Sequence, residues 1–70
     1  MELRNLISFI RAAELQSFSK TAEQLGYSQS AVTMQLKQLE EELGIPLFER
    51  IGKRVKLTQA GERFLPRALE

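Results

Sequence analysis

The sequence predicts a mainly α fold: a three-helix core, a short β-hairpin and the start of a fourth helix. Three observations predict it. Between Ser17 and Leu43, two helical stretches flank a turn at Gly26-Tyr27-Ser28. The second stretch has two chemically opposed faces. At about 100° per residue, Val32, Leu36, Leu39 and Leu43 fall on one side, and Ser30, Thr33, Met34 and Lys37 on the other. Beyond it, Gly52-Lys53-Arg54 separates two short segments suited to pairing as strands. A two-faced helix after a glycine-containing turn, followed by a basic hairpin, is the pattern of a winged helix-turn-helix.

Each element has its own local signals. Leu3, Leu6, Ile7, Ile10 and Ala13 recur at helical spacing, so a first amphipathic helix is expected from Glu2 to Leu15 with this stripe in the core. Ser17 suits the N-cap of a second helix, Phe18 to Leu25, because its hydroxyl can accept an otherwise unpaired amide. Ala22 and Leu25 face inward, and Ala22 is small where two helices must cross closely. Gly26 can take the positive φ that stops this helix. Ser28 caps a third helix from Gln29 to about Leu43, Gly44 ends it, and Pro46 prevents its continuation. The hairpin spans about residues 48–57, with Val55 and Leu57 pointing one way and Lys56 the other. Thr58 caps the fourth helix, whose apolar positions are Ala60, Phe64, Leu65, Ala68 and Leu69. Pro66 removes the bond to the Glu62 carbonyl and is expected to bend it. No helix stop signal precedes Glu70, so a continuation of this helix is expected. The expected division is a compact domain over 1–58, with its helix-turn-helix at about 18–37, and a helix starting at 59.

Composition narrows the chemistry. Seventy residues make one small domain with little core and marginal stability of its own. There is no cysteine, histidine or aspartate, so no disulfide, thiolate metal site or histidine-based catalysis is available. No glycine-rich phosphate cradle appears, and a site built on two glutamates needs a cleft that so small a chain is not expected to form. No enzyme activity, metal or cofactor is therefore expected in this domain. No apolar run approaches a membrane span, and the start MELRN lacks a signal-peptide pattern. The expected setting is the cytoplasm, with no membrane partner.

Net charge is only +1, but its distribution is uneven. Residues 1–27 balance, and residues 28–47 set Lys37 against Glu40, Glu41 and Glu42. The last third carries Arg50, Lys53, Arg54, Lys56, Arg63 and Arg67 against Glu49, Glu62 and Glu70. The acidic cluster sits at the negative end of the third helix and would repel phosphates. Glu41 lies roughly 16 Å along the axis from Ser30, so only the N-terminal half of that helix is expected to enter a groove.

Recognition of a duplex needs contacts to phosphates for register and to base edges for sequence. Gln29 can pair bidentately with adenine, Ser30 and Thr33 are permissive donors and acceptors, and Met34 can touch a thymine methyl. Lys37 can reach guanine or a phosphate, or can simply be solvated. Met34 can instead be buried against the hairpin or the second helix. Ser17, Ser19, Lys20 and Ser28 stand at helix N-termini suited to phosphate, although the hydroxyls also serve as caps. In the hairpin, Lys53 and Arg54 can reach a flanking minor groove, while Arg50 and Lys56 can hold the backbone. An alternative use of the same shape is a protein–protein contact, which calls for a more apolar outer face on the third helix.

The run SFSKTAEQLGYSQSAVTMQLKQLEEELGIPLFER, followed by VKLTQAGERFL, resembles the DNA-binding domain of the LysR-type transcriptional regulators of bacteria. The match spans Leu3 to the end and rests on Phe18-Ser19 with Ala22 and Leu25, Ser28 to Val32, Leu39-Glu40-Glu41, Leu43-Gly44, Leu47 to Arg50, and Leu57 to Glu62. The resemblance implies base reading from Gln29, Ser30, Thr33 and Met34, with the wing near the minor groove. It implies a linker helix from about Thr58 that pairs two copies, here through Phe64, Leu65, Ala68 and Leu69, on inverted-repeat operators. It also implies a separate C-terminal domain that binds a small-molecule effector. Thr33 and Thr21 depart from the family's frequent Ser and Ala, and Thr21 places a hydroxyl beside the second helix's packing face.

Overall fold

The computed structural model describes residues 1–70. Their order is α1 (Leu3–Leu15), α2 (Phe18–Leu25), α3 (Gln29–Leu43), β1 (Phe48–Ile51), β2 (Arg54–Leu57) and α4 (Gln59–Ala68). α1, α2 and α3 pack on one another, and α4 closes over α1 and the hairpin. The fold is the winged helix-turn-helix that the pattern predicts.

The caps hold as read. Ser17 accepts from the Lys20 amide at 3.1 Å, Ser28 from the Ala31 amide at 3.1 Å, and Thr58 from the Gly61 amide at 3.0 Å. Gly26 and Gly44 end α2 and α3 with φ of 78° and 71°. α1 instead ends on Gln16 at φ 54°, the only non-glycine residue with positive φ. That left-handed cap costs a side-chain-bearing residue on the order of 1 kcal/mol. Gln16→Gly is therefore expected to raise stability by about 0.5–1 kcal/mol, read as a higher midpoint in chemical denaturation. A lowered midpoint would show that the glutamine side chain offsets the strain.

The core is built from Phe9, Ala12, Ala22, Val32, Leu36, Leu39 and Leu47. α1 contributes to it differently from its apolar stripe. Leu3 and Ile7 are exposed, Leu6, Ile10 and Ala13 are half-buried, and the face turned inward carries Asn5, Ser8, Phe9 and Ala12. The reason lies in α3. Gln38 Oε1 accepts from Asn5 Nδ2 at 3.4 Å, and Gln35 Oε1 accepts from the Ser8 hydroxyl. Burying a polar side chain is tolerable once its hydrogen bond is made, and α3 supplies both partners. Thr21 is resolved in the same way: it is fully buried and its hydroxyl donates to the Ser17 carbonyl at 2.7 Å.

All four phenylalanines meet in one row. Phe64 of α4 lies 5.3 Å from Phe9, Phe9 lies 5.6 Å from Phe48, and Phe48 lies 5.3 Å from Phe18 at 88°. The edge-on geometry suits the ring quadrupoles. α4 runs past Pro66 to Ala68. The proline lies in the final turn, where little of the helix remains to be interrupted.

Candidate nucleic-acid interface

α3 presents Gln29, Ser30, Thr33, Met34 and Lys37 to solvent, while Val32, Leu36 and Leu39 hold its other side in the core. Met34 is 63% exposed, which removes the alternative of burial against the hairpin or α2. The row is therefore an open surface with a thioether among hydroxyl, amide and cationic groups, on a helix fixed from behind.

Two capped helix N-termini flank this row. At α2, the Ser17 and Ser19 hydroxyls stand 3.2 Å apart beside the exposed Lys20. At α3, Ser28 and Ser30 repeat the arrangement at 3.2 Å. Each capping oxygen accepts one amide, and in each serine pair one hydroxyl hydrogen bridges the two oxygens while the other stays free. Each N-terminus thus offers the positive end of a helix dipole together with hydroxyl groups, a combination suited to an anion.

The hairpin sorts its cations by face. Its register pairs Phe48 with Leu57, Glu49 with Lys56, Arg50 with Val55 and Ile51 with Arg54. Directly paired residues share a face, so Arg50 lies with buried Val55 on the inner side. Arg54 and Lys56 lie on the outer side, where they border Gln16 and Ile51. Arg50 and Lys56, grouped by sequence as candidate backbone contacts, therefore lie on opposite faces of the hairpin. Gly52 and Lys53 form a two-residue turn with φ of +63° at Gly52 alone. Positive φ only at the first turn position matches the type II′ pattern, whose twist suits a hairpin. Lys53 is left at the tip. On the inner side, Arg50 lies over the Phe18 ring, 5.8 Å from its centre. A cleft of about 300 Å³ between α3 and the hairpin brings Phe18, Thr33, Lys37, Glu40 and Arg50 to one place.

The acidic cluster has structural work that sequence reading misses. The Glu40 carboxylate accepts from the Leu47 amide at 2.6 Å and the Phe48 amide at 3.3 Å. Its main-chain oxygen accepts from Gly44 and Ile45. Glu42 lies 3.5 Å from the amino terminus of Met1. On α4, Phe64, Leu65 and Ala68 pack half-buried against the chain's own core, and only Leu69 of the apolar set stays largely open, at 62% exposed.

The model of the bacterial regulatory helix-turn-helix proteins of the lysR family matches residues 3–62. The chain belongs to the LysR family. Among its relatives, the uncharacterised HTH-type transcriptional regulator YwqM of Bacillus subtilis is 61% identical over 64 residues, covering 91% of this chain and 22% of YwqM. The DNA-binding domain of CbnR, solved in complex with DNA, superposes with a TM-score of 0.93 at 40% identity, covering 99% of this chain and 79% of that one. The corresponding domain of BenM, solved on the benA site 1 DNA, gives 0.91 at 45% identity, with coverages of 99% and 78%. This LysR-family chain therefore spans somewhat under four fifths of those two DNA-binding domain chains, 79% and 78%, and under a quarter of YwqM.

Proposed function

We propose that this LysR-family chain is the sequence-specific DNA-binding domain of a bacterial transcription regulator. It places α3 in the major groove of a duplex and the basic hairpin beside a flanking minor groove. The observation that carries the reading is the exposed α3 row from Gln29 to Lys37, bordered by two capped helix N-termini and a basic hairpin. The CbnR and BenM domains, both solved on DNA, support it. Base reading falls to Gln29, Ser30, Thr33, Met34 and Lys37. Backbone or minor-groove contact falls to Ser17, Ser19, Lys20, Ser28, Arg50, Lys53, Arg54 and Lys56.

The domain acts as a dimer on inverted repeats, with its two recognition helices about one DNA turn apart or a multiple of it. The pairing surface is Phe64, Leu65, Ala68 and Leu69 of α4, of which the first three are partly buried and Leu69 is the most open. In the whole regulator, a small-molecule effector binds a further domain and the site of action is the cytoplasmic chromosome. No helix here is long and apolar enough to cross a membrane.

Selection from a randomised duplex pool over a salt series tests the reading. An inverted-repeat motif bound with steep salt dependence supports it. No binding even at low salt would overturn it in favour of a protein-contact role. Gln29→Ala is expected to relax preference at one base pair, at a cost on the order of 1–3 kcal/mol, and an equal loss on selected and random duplexes would remove its base-reading role. Arg54→Ala is expected to weaken binding on all sequences and to make the salt slope shallower by about 1. An unchanged slope would place Arg54 away from the phosphates.

A further inference from the structure

Arg50 occupies an unusual position for an arginine. It lies on the inner face of a two-stranded hairpin, directly paired with buried Val55, yet stays exposed to solvent. No carboxylate holds it: the ion pairs join Met1 to Glu42, Arg4 to Glu2 and Arg11 to Glu14. What it does have is the ring of Phe18 beneath its guanidinium, 5.8 Å from the ring centre.

That ring is held in place. Phe48, two residues before Arg50 on the same face of β1, meets it edge-on, and Phe48 in turn rests on fully buried Phe9. Phe18 is also the first residue of α2, between Ser17 and Ser19 at the capped N-terminus. A guanidinium lying over an aromatic face is attracted by the ring and keeps its N–H groups available at the edge. Arg50 is thus offered beside the positive end of the α2 dipole, in no ion pair, in a cleft it shares with Thr33, Lys37 and the carboxylates Glu40 and Glu49.

We propose that Phe18 is a positioning residue for DNA binding: its ring holds the Arg50 guanidinium at the N-terminus of α2, so that the two close on one phosphate of the duplex. The inference rests on the DNA-binding reading above and adds the group that fixes one of its backbone contacts. Phe18 touches no DNA and acts through Arg50.

The test is a pair of single variants and their double, measured on the selected duplex across a salt series. Phe18→Leu keeps an apolar packing group and removes the π face, while Arg50→Gln removes the cation. Each single change is expected to weaken binding about tenfold and to make the salt slope shallower by about 1, the signature of one lost phosphate contact. The double variant is expected to bind no worse than either single, and Phe18→Tyr to restore wild-type affinity and slope. Losses that multiply in the double variant, or a Phe18→Leu slope equal to wild type, would overturn the positioning role. If Arg50→Gln alone leaves affinity and slope unchanged, the phosphate contact is absent and this inference fails while base reading by α3 stands. If the wild-type chain binds no duplex, the DNA-binding reading itself fails. Should Phe18→Leu unfold, proton shifts of the wild-type chain decide the geometry. Arg50 side-chain protons displaced upfield by the ring support it, and undisplaced ones overturn it.

Discussion

Gly61→Ala is expected to destabilise the domain by about 2–3 kcal/mol, although glycine to alanine inside a helix ordinarily stabilises by about 0.5–1 kcal/mol. The reversal comes from a close approach. Gly61 is buried in the first turn of α4. A Cβ there would run into the Leu47 carbonyl oxygen and come within 2.9 Å of Leu57 Cδ2. The Leu47 oxygen cannot retreat freely, because it accepts the Thr58 amide at 2.9 Å. The Thr58 hydroxyl also donates to the Pro46 carbonyl at 2.7 Å. The start of α4 is therefore clamped to the segment before β1, and an added methyl must pry the two apart. Chemical denaturation checks this, with a midpoint well below wild type as the expected result. At roughly 4–8 °C per kcal/mol for a domain this small, the thermal midpoint should fall by about 8–24 °C. A raised midpoint would mean that the clamp yields and intrinsic helix propensity prevails.

Glu40→Ala is expected to cost about 3 kcal/mol and to weaken DNA binding as well. One residue serves the whole crossing from α3 to the hairpin. Its carbonyl takes the amides of Gly44 and Ile45, and its carboxylate takes those of Leu47 and Phe48. Pro46 has no amide to offer, so every N–H from residue 44 to residue 48 ends on Glu40. Leu47 is fully buried and cannot turn its amide to water. Truncation leaves two donors stranded, and charge-assisted bonds of this kind contribute about 1.5–3 kcal/mol each. Glu40→Gln keeps an acceptor oxygen and is expected to recover most of the loss. Because these bonds also fix the hairpin relative to α3, the alanine variant should bind its selected duplex more weakly at temperatures where it remains folded. Equal stability of the alanine and wild-type chains would show that water replaces the carboxylate.

Both residues show how far the sequence could be read. Gly61 and Glu40 belong to motifs quoted for the family resemblance, yet nothing in their neighbourhoods announces what they do. A glycine in the first turn of a helix reads as a propensity defect until Leu47 is seen against it. A run of three glutamates reads as a misplaced charge cluster until the hairpin returns its amides to the first of them. The same applies to α1. The stripe Leu3-Leu6-Ile7-Ile10 is the correct signal for a helix and a poor guide to its buried side, since Gln35 and Gln38 make it possible to bury Ser8 and Asn5 instead.

The sequence by itself determined where α2, α3 and α4 begin, where α2 and α3 end, the position of the hairpin turn, and which side of α3 faces out. These are settled by partners within about four residues: a cap hydroxyl and its amide, a glycine at positive φ, a repeat of 3.6. The tertiary structure alone decided which face of α1 is buried, that Arg50 turns inward while Arg54 and Lys56 turn outward, and that α4 spends most of its apolar side on its own core. Those outcomes depend on groups tens of residues away, whose approach is set by packing and hydrogen-bond satisfaction across the whole chain rather than by any local rule.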